Sequence, residues 1–194
     1  MITAIVLAAG QSVRMGTQKM LLPWGETTVI SKVVATLVEA GVSEIYVVTG
    51  GNHAAITRLI QGPDIHLVIN PDYANGEMLT SVQVGLKAIA KDIEATLIVL
   101  GDQPQIESQV VRAVLARFQG TSHPLIVPSY RMHRGHPWLL GKSYWEEVLA
   151  LKPPLTLHDF LNSKKQVIDY MEVDTPSVMQ DLDTRQDYSR YKPG

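Results

Sequence analysis

The sequence predicts an α/β fold, a three-layer α/β/α sandwich built on a mostly parallel sheet, with residues 1–194 forming a single domain. Three observations predict it. Apolar, β-branched runs alternate along the chain with segments of helical period, and neighbouring parallel strands need such crossover connections. The runs are continuously apolar rather than alternating, as expected of strands buried on both faces. The chain has 194 residues, 45% hydrophobic and 19% charged, and a chain of that size can bury roughly 70% of its unfolded surface in one core.

Ile2 to Leu7 is the first strand, and it runs into a glycine-bearing loop. Ile30, Val33, Val34, Leu37 and Val38 then follow the i, i+3, i+4, i+7, i+8 pattern of a helix, with Thr27 or Thr28 as N-cap and Gly41 as the stop. Glu44 to Thr49 is a second strand, Asn52 caps a short helix through Ile60, and Ile65 to Ile69 is a third strand. Thr80 or Ser81 caps a helix to about Ala90. The clearest strand, Ala95 to Leu100, leads into Gly-Asp-Gln-Pro and a helix from Ser108 to Phe118. A short strand at Leu125 to Pro128 follows, and the pattern loosens between Tyr130 and Trp138. Helices at Lys142 to Leu151 and Thr156 to Ser163 and a strand from Gln166 to Val173 complete the series.

Composition excludes several functions. With no cysteine there are no disulfides, thiolate zinc sites or cysteine nucleophiles, which suits a reducing cytoplasm. A net charge of −2 without a basic cluster argues against nucleic acid as a partner. The apolar start lacks a basic leader and is too short for a signal peptide, and no run approaches the roughly 18 apolar residues of a membrane span. The expectation is a soluble, cytoplasmic protein without a membrane partner.

Open parallel sheets bind ligands at the carboxyl ends of their strands, where the stretch Leu7-Ala-Ala-Gly-Gln-Ser-Val-Arg-Met-Gly-Thr-Gln-Lys-Met-Leu-Leu-Pro-Trp-Gly25 begins. It is not a Walker loop, because five residues separate Gly10 from Gly16 and Lys19 comes later still. The Gly-x-Gly-x-x-Gly dinucleotide spacing is absent too. Backbone amides near glycines, with the cations of Arg14 and Lys19, suit the phosphates of a nucleoside triphosphate. The bland alternative is a loop that only turns the chain. Asp102, directly after a nearly all-apolar strand, places a carboxylate at the ligand edge of the sheet, suited to Mg²⁺. Its plain alternative is the first residue of an Asp-Gln-Pro turn.

The opening stretch resembles the signature of the MobA-like nucleotidyltransferases, and within them looks most like the molybdenum cofactor cytidylyltransferases. Asn70-Pro-Asp-Tyr-Ala-Asn-Gly76 with Leu79-Thr-Ser-Val82, Gly101-Asp-Gln-Pro104, Gly135-His-Pro137 and Asp181-Leu-Asp-Thr184 extend the resemblance over nearly the whole chain. It implies a Rossmann-like sheet of the nucleotide-diphospho-sugar transferase type and Mg²⁺-dependent cytidylyl transfer. CTP and a molybdopterin-type cofactor are the implied substrates, and a receiving molybdoenzyme the implied partner. Lys19, Arg14 and Asp102 are the implied catalytic residues, with Leu7, Ala8, Ala9, Gly10, Arg14, Lys19 and Ser81 at the nucleotide. Relatives that use GTP carry Gly-Gly at Ala9-Gly10, so the methyl of Ala9 is expected to disfavour the larger purine.

The resemblance places metal contact at Asp102 and Asp183, with Asp181 the other candidate for the second carboxylate. Asp183 is equally suited to cap the last helix, which reads Thr184-Arg-Gln-Asp187 where the family has Thr-Pro-Glu-Asp. Ser81 has a plain role as an N-cap. Arg134, Gly135 and His136 match the acceptor-side loop, although the family places Pro where Arg134 stands. His133 and His136 alone are too few for a transition-metal site. Another phosphate acceptor, GTP as donor, and a non-catalytic cofactor-delivery protein remain the competing functions.

Overall fold

The structure, a computed structural model, describes residues 1–10, 15–74, 77–90, 92–121 and 123–193. In chain order the elements are β1 (Ile2–Ala8), a small hairpin of β2 (Pro23–Trp24) and β3 (Thr27–Thr28), α1 (Val29–Glu39), β4 (Ile45–Thr49), α2 (His53–Leu59), β5 (Ile65–Ile69) and α3 (Met78–Ala88). Then come β6 (Ala95–Leu100), α4 (Ser108–Gly120), β7 (Leu125–Tyr130), β8 (His133–Arg134), β9 (Trp138–Gly141), α5 (Trp145–Ala150), α6 (Leu157–Ser163), β10 (Asp169–Glu172) and α7 (Arg185–Tyr191).

The sheet runs β10-β7-β9-β6-β1-β4-β5, with β8 paired to β7. β1 is parallel to both neighbours, Leu7 lying opposite Val48 of β4 and Leu100 of β6. Their carboxyl ends therefore open on one edge. Among the described residues of this sheet only β9 and the two-residue β8 run antiparallel to their partners, β9 inserted between β6 and β7. This is the region where the sequence pattern loosens, because Trp138–Gly141 is too short to show a period of its own.

The two faces of the sheet build separate cores. Ala4, Val6, Val47 and Val99 meet Ile30, Val33 and Leu37 of α1 and Val111 and Val114 of α4. Ile5, Val48 and Ile98 meet Leu79, Val82 and Leu86 of α3, Val148 of α5 and Phe160 and Leu161 of α6. Alternate residues of one strand supply the two faces, which is why each strand is apolar throughout. The three layers are those predicted.

Local chemistry sets the helix ends. Thr28 caps α1 by accepting from Ser31 N at 3.4 Å, and Gly41 follows its C-terminus at φ 85°, a conformation that glycine adopts without steric cost. Asn52 stands at the N-cap position of α2 without a side-chain bond to the helix, and its Oδ1 is buried with no partner among the described residues. The expected cap at Thr80 or Ser81 is corrected: α3 begins at Met78, so both lie inside its first turn. The capping role open to Asp183 is also corrected, because Thr184 caps α7 in a reciprocal box with Asp187. That box starts the helix without the proline its family pattern carries.

Candidate active site

At the carboxyl edge of β1 and β6 lies an open cleft of about 360 Å³. Leu7, Ala9 and Gly10 line it from the end of β1, Ser81 from α3, and Leu100 and Asp102 from the end of β6. Lys19, Asp181 and Asp183 complete its polar wall. The two strand ends approach closely because Gly101 N donates to Leu7 O at 3.0 Å, and a Cβ at Gly101 would stand 2.7 Å from that same oxygen. Only glycine fits there.

Lys19 opens a single 3-10 turn (Lys19–Leu21) that returns the chain from the glycine loop. The residue is 8% exposed. Its Nζ donates to Asp102 Oδ2 at 2.6 Å and to Asp183 Oδ1 at 3.4 Å. A buried ammonium demands such partners, since an unpaired charge out of water is costly.

The two carboxylates arrive from positions 81 apart in sequence, and the backbone joins their segments: Leu182 N donates to Asp102 O at 3.1 Å. Gln103, 2% exposed, donates from Nε2 to Asp181 Oδ1 and, at 3.4 Å, to Val178 O. Burial, with Asp102 close by, pushes the Asp181 carboxyl up to about 6, and Asp183 adds to the effect. Arg185 Nε donates to Met15 O at 3.2 Å, fastening the start of α7 to the returning loop.

Ser81 is held from behind. Asn70, the first residue after β5, donates from Nδ2 to Ser81 Oγ at 3.0 Å, while its Oδ1 accepts from Asp72 N at 3.0 Å. Gln103 and Asn70 carry no functional role in the sequence reading. Their signal was their place in the Asn70–Gly76 and Gly101–Pro104 motifs, each just beyond an apolar strand.

Of the expected site residues, the fold gathers Leu7, Ala9, Gly10, Lys19, Ser81, Asp102 and Asp183 on one cleft, with Ala8 the buried last residue of β1. Arg14 lies outside the described residues. Arg134, Gly135 and His136 do not line this cleft. Arg134 donates from Nη2 and Nε to Tyr170 Oη at 2.7 and 3.1 Å and from Nη1 to Asn162 Oδ1 at 3.0 Å. A Cβ at Gly135 would meet Val178 Cβ at 2.6 Å. His136 stacks on Trp138 at 4.3 Å, with its Nε2 buried and without a partner among the described residues. Burial, and secondarily the charge of His158, holds its imidazole down at about 3.

The chemistry of the cleft fits a divalent cation. Two carboxylate oxygens, from Asp102 and Asp183, converge within bonding distance of one positive group, and hard oxygen donors of that kind suit Mg²⁺ or Mn²⁺. Among the described residues no group of three metal-ligating side chains gathers.

A family model for the MobA-like NTP transferase domain matches residues 4–167. The chain belongs to that family. The molybdenum cofactor cytidylyltransferase of Escherichia coli (strain K12) is 30% identical over 194 residues, 96% of this chain and 93% of that protein. The nicotine blue oxidoreductase of Paenarthrobacter nicotinovorans is 26% identical over 190 residues, 94% and 92% of the two chains. Among solved structures, Rv0371c from Mycobacterium tuberculosis H37Rv superposes with a TM-score of 0.87 at 28% identity, over 97% of this chain and 95% of that one. A complex of Rv0371c with manganese gives 0.83 at 26% identity, over 97% and 96%. The span matched by the MobA-like model includes β9. Among the described residues no helix is long and apolar enough to cross a membrane.

Proposed function

We propose that residues 1–194 act as one unit that transfers the cytidylyl group of CTP to the phosphate of a molybdopterin-type cofactor in the cytoplasm, with Mg²⁺ and with release of pyrophosphate. The observation that carries this reading is the buried Lys19 ammonium gripped by Asp102 and Asp183 on the ligand edge of β1 and β6. The 30% identity to a molybdenum cofactor cytidylyltransferase supports the choice of substrates.

In this reading an oxygen of the acceptor phosphate attacks the α-phosphorus, and the bond to the bridging oxygen of pyrophosphate breaks. Lys19 sits where negative charge gathers on the α-phosphate, and Arg14 with the loop amides holds the leaving phosphates. Asp102 and Asp183 hold the divalent ion, which when bound neutralises phosphate charge. A phosphate monoester is already largely ionised near neutral pH, so no side-chain nucleophile or dedicated base is needed. The backbone of Leu7, Ala8, Ala9 and Gly10, with Ser81 opposite, frames the nucleoside, and the Ala9 methyl narrows the space for a purine. Arg134, on the segment with Gly135 and His136, meets the acceptor, and the finished cofactor passes to a receiving molybdoenzyme.

Pyrophosphate release from CTP, GTP, ATP and UTP, measured with Mg²⁺ and a molybdopterin acceptor beside Lys19→Ala and Asp102→Ala, tests the proposal. CTP-selective, acceptor-dependent release that both substitutions abolish supports it. Release from GTP moves the donor assignment, release only with a sugar phosphate moves the acceptor, and no release points to a delivery role. The likeness to nicotine blue oxidoreductase favours a second reading as an oxidoreductase. Turnover of nicotine blue by the purified protein, without pyrophosphate release, would select it.

A further inference from the structure

Lys19 stands on both halves of the proposed machinery: its ammonium grips the two carboxylates assigned to the metal, yet its role in catalysis lies at the phosphate. One ammonium cannot serve both partners fully at once. We propose that Lys19 is the internal counter-ion of the metal site, so that its ammonium and a divalent cation compete for Asp102 and Asp183, and nucleotide phosphate opens the site by taking Lys19 over. This inference rests on the nucleotidyltransferase reading and deepens it.

The geometry carries the argument. A cation ligated by Asp102 and Asp183 must sit about 2.0–2.1 Å from their oxygens if it is Mg²⁺, and Nζ already stands 2.6 Å from one and 3.4 Å from the other. Two positive centres placed there would be within a few ångström of each other in a cleft whose lysine is 8% exposed, where repulsion is poorly screened. Burial also forbids the simplest escape. Lys19 cannot leave its carboxylates for nothing, since an unpaired buried ammonium is costly. A phosphate oxygen is the replacement anion the reaction itself brings.

The two acidic segments are also joined without Lys19. The Leu182 N to Asp102 O bond and the Gln103 bridge to Asp181 join the two acidic segments through groups that Lys19 does not touch. Moving the ammonium therefore uncovers two carboxylates whose chain segments are already joined. Because coupling between two ligands is reciprocal, nucleotide strengthens metal binding by the factor that metal strengthens nucleotide binding, over and above direct chelation by the phosphates. The free protein is thereby kept from loading metal before substrate arrives.

The test is a titration of the full chain with Mn²⁺ alone, followed by the electron paramagnetic resonance signal of free Mn²⁺, so that no turnover is involved. Lys19→Met is expected to bind Mn²⁺ tighter than the unmodified protein by on the order of tenfold or more, within the ordinary range of site-to-site coupling. Lys19→Arg, which keeps the charge, is expected to stay weak, and adding Asp102→Asn to Lys19→Met should remove the gain. Lys19→Gln repeats the measurement should the Met variant fail to fold. If neither neutral variant gains affinity, or if the Arg variant gains as much, the counter-ion proposal is overturned. Mn²⁺ binding in the presence of CTP separates that result from failure of the underlying reading: Asp102→Asn weakens it if Asp102 is a ligand, whatever Lys19 does. No effect of Asp102→Asn there would overturn the metal assignment itself.

Discussion

Asn70 Nδ2 lies 3.0 Å from Ser81 Oγ, and it donates that bond from a side chain only 1% exposed. The serine lines the cleft and the asparagine does not, so the pair divides the work between contact and support.

On the proposed reading, removing the support should loosen CTP binding without removing the serine that lines the cleft. Asn70→Leu deletes the bonds to Ser81 and to Asp72 N while keeping an apolar side chain of similar size. A lost hydrogen bond of this kind is worth about 1 kcal/mol, so the KM for CTP should rise by roughly fivefold with a smaller change in kcat. Thr80→Ala, which removes the longer 3.4 Å contact with Asn70 and the Thr80 Oγ1 bond to Glu77 O but leaves Ser81 held, should leave the KM close to its original value. Steady-state pyrophosphate release resolves the two parameters. A fall in kcat alone would place Asn70 in the chemistry rather than behind Ser81.

Arg134 offers the converse pattern. Its guanidinium is held by the Tyr170 hydroxyl and by Asn162, and on the proposed reading it serves the acceptor rather than CTP. Arg134→Ala should raise the acceptor's KM by about tenfold or more, as expected for a charge-assisted contact to phosphate, and leave the KM for CTP unchanged. Tyr170→Phe, which removes only the orienting oxygen, should raise the acceptor's KM less. Equal effects on both substrates would remove Arg134 from the acceptor side.

Much of this arrangement is legible in the sequence, for physical reasons. Strands buried on both faces are apolar at every position, so β1, β4 and β6 stand out from the chain and carry Gly10 and Asp102 to one edge. The amphipathic stripe of α1 and its Thr28 cap are equally local signals. What the sequence hides is the non-local part. β9 is four residues long and gains its place from pairing with β6 and β7, not from a pattern of its own. The first turn of α3 is set by tertiary contacts rather than by a capping side chain, since Glu77 makes no cap bond. Lys19 meeting Asp183 across 164 positions, or Gln103 meeting Asp181, is visible only after the C-terminal segment folds back over the end of β6.

Packing against the central strand gives a stability prediction in which two effects oppose each other. Gly85 sits inside α3, where replacing glycine by alanine normally stabilises a helix by about 1 kcal/mol. Here a Cβ would stand 2.7 Å from Ile5 Cγ2 and 2.9 Å from its Cδ1, and Ile5 is fully buried. Overpacking of a closed core costs about 1–3 kcal/mol, so crowding wins and Gly85→Ala should lower stability by about 1 kcal/mol. Urea unfolding checks the sign. The double variant with Ile5→Ala should lose less than the sum of the two single losses, because the second change removes what the first collides with.

The buried imidazole of His136 makes stability depend on acidity. Burial, reinforced by His158, lowers its proton affinity from an ordinary 6.5 to about 3, and its Nε2 has no partner among the described residues to hold a proton in place. Between those values the unfolded chain binds a proton that the folded protein refuses. The contribution is therefore fully present above pH 6.5 and is lost as the pH falls toward 3, at no more than about 1.4 kcal/mol per pH unit. His136→Gln removes the titration, so its urea midpoint should fall less steeply between pH 6.5 and 4.5 than that of the unmodified protein. It should also be the less stable of the two at pH 7.5, because the stack on Trp138 at 4.3 Å is lost, and the two midpoints should converge on acidification. Parallel midpoints over that range would mean that His136 titrates alike in both states, and that its environment admits the proton.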